Sequence, residues 1–103
     1  MKRLNVLLAL AAISVMPGLV QGAVAYKGEK LAETAKITLE QATETALKAR
    51  PGKIADKELE REKGGSGLRY SFDILSNGQT YEVGVDAQTG TVLENGHEGA
   101  HPD

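Results

Sequence analysis

The second half of the chain alternates between apolar and polar side chains, which is the pattern of β-strands with one buried face. In the clearest run, Leu68, Tyr70, Phe72 and Ile74 fall on one face and the polar residues between them fall on the other. The Asn-Gly pair at positions 77–78 suits the positive φ angles of a tight hairpin turn. We therefore expect a well-formed strand over residues 68–74 that leads into a hairpin.

Weaker runs of the same kind flank this strand. Residues 53–62 predict a first strand, residues 80–85 alternate again, and residues 91–93 predict a short last strand. Turns rich in glycine and polar residues separate them at residues 64–67 and 86–90. The strands are therefore expected to pair in chain order as an antiparallel β-meander.

A helix precedes the strands, and both of its ends are marked in the sequence. Thr38 is a suitable N-cap, and Gln41 stands three residues later, which completes a capping box. Arg50-Pro51-Gly52 ends the helix. Its apolar stripe is narrow and rich in alanine, which indicates that a sheet face approaches it closely. The stripe consists of Leu39, Ala42, Ala46, Leu47 and Ala49.

Together these elements predict an α+β fold, with one N-terminal α-helix packed on a three- to four-stranded antiparallel β-meander. We place this domain at residues 36–94. Its predicted core is small, so we expect marginal stability. The core consists of Ile37, Leu39, Ala42, Ala46, Leu47, Ile54, Leu59, Tyr70, Phe72, Ile74, Tyr81, Val83, Val85 and Leu93.

Residues 1–25 have the three-part order of a secretory signal peptide. Met1-Lys2-Arg3 is a short basic start, residues 4–16 are almost entirely apolar, and Pro17-Gly18 ends that run. We place the cleavage after Ala25, with cleavage after Gly22 as the alternative. The apolar run is shorter than the roughly 20 residues that span a bilayer, although an uncleaved anchor is a competing interpretation. We expect an exported protein, periplasmic or secreted, with no stable membrane anchor after cleavage.

Removal of the signal changes the charge of the remaining chain. Lys2 and Arg3 are lost with no acidic residue, so the net charge of −2 for 103 residues becomes −4 for the remaining 78. An acidic chain argues against a nucleic-acid binder. Since there is no Cys, disulfides, thiol nucleophiles and Cys-ligated metals are excluded, and an exported fold must rely on packing.

The candidate metal ligands lie near the C-terminal end of the chain. His97 and His101, with Glu98 and Asp103, combine imidazole and carboxylate groups that suit zinc, copper or nickel. Glycines and a proline in residues 95–103 argue against a helix that would bring the two histidines together, so a disordered polar tail is the competing interpretation. Residues 26–35 are similarly expected to form a flexible lead.

The sequence offers no catalytic constellation, and no cofactor is expected. The serines fall at turns or on a strand face, and the histidines lie in the polar tail. Glu58, Glu60 and Glu62 alternate along the first strand and are expected to form a solvated face.

The order of these motifs resembles the PepSY domain family. The resemblance rests on the capping-box region at residues 37–42, the helix end Ala-Leu-Lys-Ala-Arg-Pro-Gly at residues 46–52 and the charged strand at residues 58–62. It is strongest at residues 81–93, where an aromatic-apolar strand leads into an Asp-Ala-Gln-Thr-Gly turn and a Val-Leu strand. The resemblance implies a domain that inhibits, regulates or chaperones peptidases, without family-wide catalytic residues.

Two hypotheses of different classes follow. The first is an exported, non-enzymatic module, a monomer or weak homodimer, that binds and inhibits or otherwise regulates a separate peptidase or another exported protein. It would use an exposed sheet edge, a hairpin tip or the open sheet face. The second is an envelope protein that binds a metal or small ligand with its His- and Glu-rich tail.

Overall fold

The computed structural model describes residues 25–98. These residues form a 3₁₀ helix (Glu29–Thr34), an α-helix α1 (Leu39–Ala49) and four strands. The strands are β1 (Lys53–Arg61), β2 (Leu68–Ser76), β3 (Gln79–Asp86) and β4 (Val92–His97), and they make one sheet in the order β1-β2-β3-β4. All three neighbouring pairs are antiparallel. The predicted α+β architecture is therefore confirmed, with four strands.

Helix α1 begins at the predicted capping box. The Thr38 hydroxyl accepts a hydrogen bond from the Gln41 backbone N–H at 3.1 Å, and the Gln41 side chain accepts one from the Thr38 N–H at 2.9 Å. These bonds satisfy two donors that have no partner within the helix. At the other end, the Arg50 N–H donates to the Ala46 carbonyl, and Pro51 follows. The sequence signals thus position the helix before the sheet begins.

Strand pairing follows the alternation in the sequence. The β2–β3 hairpin turns through Asn77 and Gly78, which have φ angles of 54° and 79° and continue the twist of the strands. Within this hairpin Phe72 pairs with Val83 and Tyr70 pairs with Val85, so the best apolar runs share one face. That face lies under helix α1.

The core is a single layer between helix α1 and this face of the sheet. Six predicted core residues in the strands are fully buried, as are Ala42 and Ala46 of the helix. Two buried side chains, Leu68 and Ala87, were not predicted, because each lies at the end of an alternating run. Tyr81 and Leu93 are only partly buried. The buried strand residues from the prediction are Leu59, Tyr70, Phe72, Ile74, Val83 and Val85.

The prediction of a flexible lead at residues 26–35 is wrong, because these residues make a 3₁₀ helix and contact the sheet. Lys27 forms a parallel bridge with Glu58 on the outer side of β1, and the Leu59 N–H donates to the Lys27 carbonyl at 2.9 Å. Tyr26 and Leu31 pack against the core cluster. Burial of these apolar groups fixes a segment whose sequence pattern is weak.

The prediction of a disordered tail from residue 95 is also wrong in its first part. Strand β4 continues to His97, where Tyr81 pairs with His97 and Val83 pairs with Asn95. Backbone pairing with β3 holds these residues although their side chains do not alternate. Residues 99–103, with His101 and Asp103, lie outside the described residues, as does nearly all of the predicted signal peptide.

Within residues 25–98, no helix is long and apolar enough to cross a membrane.

Asp86 joins two loops at one end of the sheet. Its carboxylate is 1% exposed and accepts hydrogen bonds from the Ser66 N–H and hydroxyl and from the N–H groups of Gln88 and Thr89. Burial alone would raise the pKa of Asp86, but these bonds outweigh burial and lower it to about 2. The β1–β2 loop is thereby attached to the turn that precedes β4.

The substitution Gly28→Ala should detach residues 26–34 from β1. Gly28 has a φ of 86°, and an added Cβ would overlap the carbonyl oxygen of Leu59. Gly78→Ala is the matched control, since its φ is 79° but open space surrounds it. We expect Gly78→Ala to cost about 1–2 kcal/mol of unfolding free energy. Gly28→Ala should in addition accelerate hydrogen exchange at the Leu59 amide, which donates to the Lys27 carbonyl. Unchanged exchange at Leu59 would contradict the detachment of residues 26–34 from β1.

The substitution Asp86→Asn should lower the unfolding free energy by about 2–4 kcal/mol at neutral pH, because a buried, charge-assisted network is lost. The pKa of Asp86 is lowered from 3.8 to about 2, so its contribution is present above pH 4 and is lost as the pH falls toward 2. The difference in unfolding free energy between wild type and variant, measured by urea unfolding, should therefore narrow as the pH falls from 4 to 2. Asp56→Asn, on an exposed edge, is the control, and an equal effect there would contradict the role of Asp86.

Candidate functional site

The face of the sheet opposite helix α1 is strongly acidic. Since alternate residues of a strand point to opposite faces, the partners of the apolar core positions fall on this side. The register places Asp56 of β1 beside Asp73 of β2, and Asp73 beside Glu82 of β3, so one carboxylate from each of these three strands stands in a row. We name the acidic face by its six carboxylates outside the Arg69 cluster described below: Asp56, Glu58, Glu60, Asp73, Glu82 and Glu98.

A hollow of about 230 Å³ lies on the acidic face. Five carboxylates and the Ser71 hydroxyl line it, with Lys57 as the one cationic lining residue. Glu98 reaches this hollow because its backbone N–H donates to the Thr80 carbonyl at 3.1 Å, directly after β4. The hollow is therefore polar and negative, and its chemistry favours a cationic ligand group over an apolar one.

Two neighbouring carboxyl groups on β1 share a hydrogen bond, and their pKa values move in opposite directions. The hydrogen bond with Glu60 and partial burial raise the pKa of Glu58 to about 7. Burial would raise the pKa of Glu60 as well, but hydrogen bonds from Glu58 and from the Ser71 hydroxyl, at 2.7 Å, lower it. Glu58 thus holds the proton near neutral pH, and Glu60 is the charged member of the pair.

Crowding of like charges extends to the middle of the face. Burial, followed by the nearby charges of Glu98 and Asp56, raises the pKa of Asp73. Lys27 provides a partial counter-charge, with its Nζ 3.7 Å from Glu58 Oε1, but its own side chain is 84% exposed. An exposed ion pair of this kind contributes little stability. The acidic face therefore retains unfavourable electrostatic energy that a bound cation would reduce.

Arg69 compensates the carboxylates at the other end of the sheet. It is 6% exposed, and its Nη1 lies 3.2 Å from Glu94 Oε1 and 4.0 Å from Glu62 Oε2. Its Nη2 donates to the Lys63 carbonyl at 2.7 Å. The guanidinium thus holds β4 and the β1–β2 loop against β2. Among residues 25–98, the ion pairs of Arg69 with Glu62 and Glu94 lie at this end of the sheet.

The structure separates the two candidate metal ligands that it describes. His97 lies on the helix side of the sheet, where its ring contacts Tyr81 with 4.6 Å between centroids. The Arg50 guanidinium lies over the Tyr81 ring, with its Cζ 3.8 Å from the ring centroid. Glu98 instead lines the acidic hollow. Among residues 25–98, no group of three or more His, Asp or Glu residues could hold a metal ion. Metal binding by His101 and Asp103 stays a prediction.

Two serine hydroxyls of the sheet end and the open face are bonded to carboxylates. Ser66 donates to Asp86 Oδ1 at 2.9 Å, and Ser71 donates to Glu60 Oε2 at 2.7 Å. Neither hydroxyl therefore contacts a histidine that would activate it as a nucleophile. The arrangement on the open face supports recognition of a charged partner.

Only part of this site could be predicted from the sequence. The alternation of Glu58 and Glu60 predicts a solvated row on β1, but Asp73, Glu82 and Glu98 come from other elements. The strand register brings them together, and the sequence contained one signal for it. Asp73 lies between Phe72 and Ile74, which predicts that its side chain points away from the core.

The comparison with protein-family models gave one match. The model described as "Peptidase propeptide and YPEB domain", PepSY, matches residues 36–95, which is more than half of the chain. The matched region contains helix α1, the first three strands and most of β4. Neither the curated proteins nor the solved structures gave a match.

The substitution Glu58→Gln should change the pH dependence of stability. The folded-state pKa of Glu58 is raised from 4.5 to about 7, so the stability contributed by its protonated form is present below pH 4.5 and is lost as the pH rises from there through 7. We expect the variant to gain stability relative to wild type at pH 8, and this gain to vanish at pH 4. Urea unfolding at the two pH values measures the difference, with Glu44→Gln on the exposed side of helix α1 as control. A carboxyl NMR titration with a midpoint near 4.5 for Glu58 would contradict the expectation.

Proposed function

The chain belongs to the PepSY family, and from this membership we propose that it is a non-catalytic, exported binding module that regulates a peptidase. PepSY domains are generally propeptide- or inhibitor-like modules, which supports a regulatory role over an enzymatic one. The observation that carries the proposal further is the acidic face. It is a large polar surface that no element of residues 25–98 covers, and it has no need of reactive side chains to act.

The electrostatics of this face support binding of a basic partner surface. A hydrogen bond with Glu60 and burial raise the pKa of Glu58, and burial raises the pKa of Asp73. In both cases nearby carboxylate charges raise the pKa further. Lysine or arginine side chains placed in the hollow would favour the ionised carboxylates and relieve this repulsion. Such a contact would gain its energy from charge complementarity, so it should associate fast and weaken with salt.

Export is part of this proposal. The basic start, apolar run and small residues of positions 1–25 support it, as described above for the sequence. The regulated peptidase would then share the same compartment. We propose inhibition as the effect, since a bound propeptide-like module limits access to the enzyme it covers.

The test is the effect of the purified protein on proteolysis by its own cells. Envelope and secreted fractions from a strain that lacks the gene are mixed with the protein isolated from an exporting strain. We expect proteolysis of a casein substrate to fall in a dose-dependent manner, and the effect to weaken as salt is raised. A protein that leaves proteolysis unchanged at all concentrations would refute the proposed function.

The double variant Asp56→Asn with Glu98→Gln should lose most of this inhibition, because both residues line the hollow and neither lies in the core. The matched control is Glu33→Gln with Glu44→Gln, two exposed residues on the two helices. Each pair removes two negative charges, so net charge alone would affect both equally. An equal loss of inhibition in the two double variants would refute the acidic face as the contact surface.

A further inference from the structure

The two edges of the sheet differ in how their backbone groups are occupied. On β1, Lys27 pairs with Glu58 and accepts from the Leu59 N–H at 2.9 Å. The Lys57 N–H is held by the adjacent Asp56 carboxylate at 2.9 Å, and a bulge interrupts the ladder between Ile54 and Asp56. Bulges, covering segments and charges are the usual ways in which a protein blocks strand addition at an edge.

Within residues 25–98, no segment covers the outer side of β4, and its register shift lies at the start of the strand, opposite Gly84 and Val85. β4 is the last strand in the sheet order, and no strand or bridge of residues 25–98 pairs with its outer side. The Glu98 N–H donates inward to the Thr80 carbonyl. Because inward and outward groups alternate in an antiparallel pair, the N–H and C=O groups of Asn95 and His97 point outward.

This edge is held rigidly from the inside. The Asn95 side chain donates to the Ala49 carbonyl at 3.2 Å and accepts from Arg50 Nε at 3.1 Å, which fixes β4 to the end of helix α1. Glu94 is held by Arg69. An edge that is already ordered loses little conformational entropy when a partner strand pairs with it.

The charge of the neighbouring surface decides between two possible occupants. A strand added beside β4 would direct alternate side chains toward the acidic face, next to Glu98 and across Gly96 from Glu82 of β3. A second copy of this chain would bring another acidic face to the same side of a continuous sheet, and the two faces would repel. An extended segment with lysine or arginine at alternate positions would instead be attracted.

We propose that the outer edge of β4 binds an extended basic segment of the regulated protein by strand addition. The segment pairs its backbone with Asn95 and His97 and directs its alternate lysine or arginine side chains to the acidic face. This inference rests on the proposed function, and it names both the edge used and the chemistry of the partner segment. At about 3.3 Å per residue, six-residue β4 offers an edge of roughly 20 Å.

The first test uses a synthetic peptide that alternates lysine and valine, with a glutamate–valine peptide of the same length as control. Amide hydrogen exchange of the full exported protein is followed by NMR with each peptide. We expect the lysine peptide to slow exchange at Asn95 and His97 by at least tenfold. The Lys57 and Leu59 amides are internal controls, since both already have acceptors. Binding of the lysine peptide without protection of Asn95 and His97 would overturn the proposal, and so would equal binding of the glutamate peptide.

The second test compares His97→Pro with His97→Ala. Both remove the ring that contacts Tyr81, but only proline removes the outward N–H. We expect His97→Ala to keep the affinity for the lysine–valine peptide within about threefold and His97→Pro to lose at least tenfold. Equal affinity of the two variants would overturn strand addition at this edge. If the proline variant does not fold, the peptide-dependent hydrogen exchange of Asn95 and His97 in the wild-type protein tests the proposal instead.

The same variants separate this inference from the proposed function. Inhibition of proteolysis by His97→Pro at the wild-type level would overturn the edge as the docking site and leave the regulatory function standing. Protection of the β4 amides by the lysine peptide, combined with no effect of the wild-type protein on proteolysis, would support the edge and refute the regulation of a peptidase.

Discussion

The close approach of helix α1 to one face of the sheet determines how the rest of the structure is arranged. Ala42 and Ala46 are fully buried, and such small side chains let the helix backbone lie close to the strands. An eleven-residue helix covers only that face, so the buried apolar side chains of β1, β2 and β3 point toward it. Strand alternation then sends the polar side chains to the opposite face. The row formed by Asp56, Asp73 and Glu82 follows from this one-sided burial combined with the strand register.

The open face is charge-balanced at one end and unbalanced at the other. Arg69 is buried between Glu62 and Glu94, so the carboxylates there stabilise a cation. Around the hollow, by contrast, a hydrogen bond with Glu60 and burial raise the pKa of Glu58 to about 7, and burial and the nearby charges of Glu98 and Asp56 raise that of Asp73. Carboxylates therefore repel one another there. A fold that needed stability alone would reduce this repulsion, since substitutions on an exposed face are easily tolerated. Retained electrostatic repulsion at one place is typical of a surface with a binding role.

The parts of the fold that could be predicted are those encoded by neighbouring residues. Thr38 and Gln41 define the helix start within one turn, and the Asn-Gly pair defines the central hairpin. The lead and the end of β4 could not be predicted, because their order depends on other elements. Tyr26 and Leu31 are ordered by contact with the core cluster, and Asn95 to His97 by backbone pairing with β3. A polar edge strand has no side-chain alternation by which it could be recognised.

The burial of the Arg69 guanidinium is the feature of the fold that the sequence pattern indicates least. Arg69 alternates with Leu68 and Tyr70, so its position predicts exposure to solvent, yet the β1–β2 loop and Glu94 cover it. The acidic face was only partly predicted for the same reason, since its members come from three strands and from Glu98, directly after β4. Local pattern gives the face on which a side chain lies, whereas register and loop packing decide what lies beside it.

The internal contacts of β4 connect the core to the surface. Asp86 binds the β1–β2 loop to the turn before β4, and Arg69 then holds Glu94 at the start of the strand. At the other end, Asn95 is bonded to the last turn of helix α1. The strand is therefore fixed along its inner side by contacts to the helix, to β2 and to β3, whereas β1 is covered on its outer side by residues 26–28. Because the order of β4 does not depend on anything beside its outer edge, that edge can meet a partner without rearrangement of the fold.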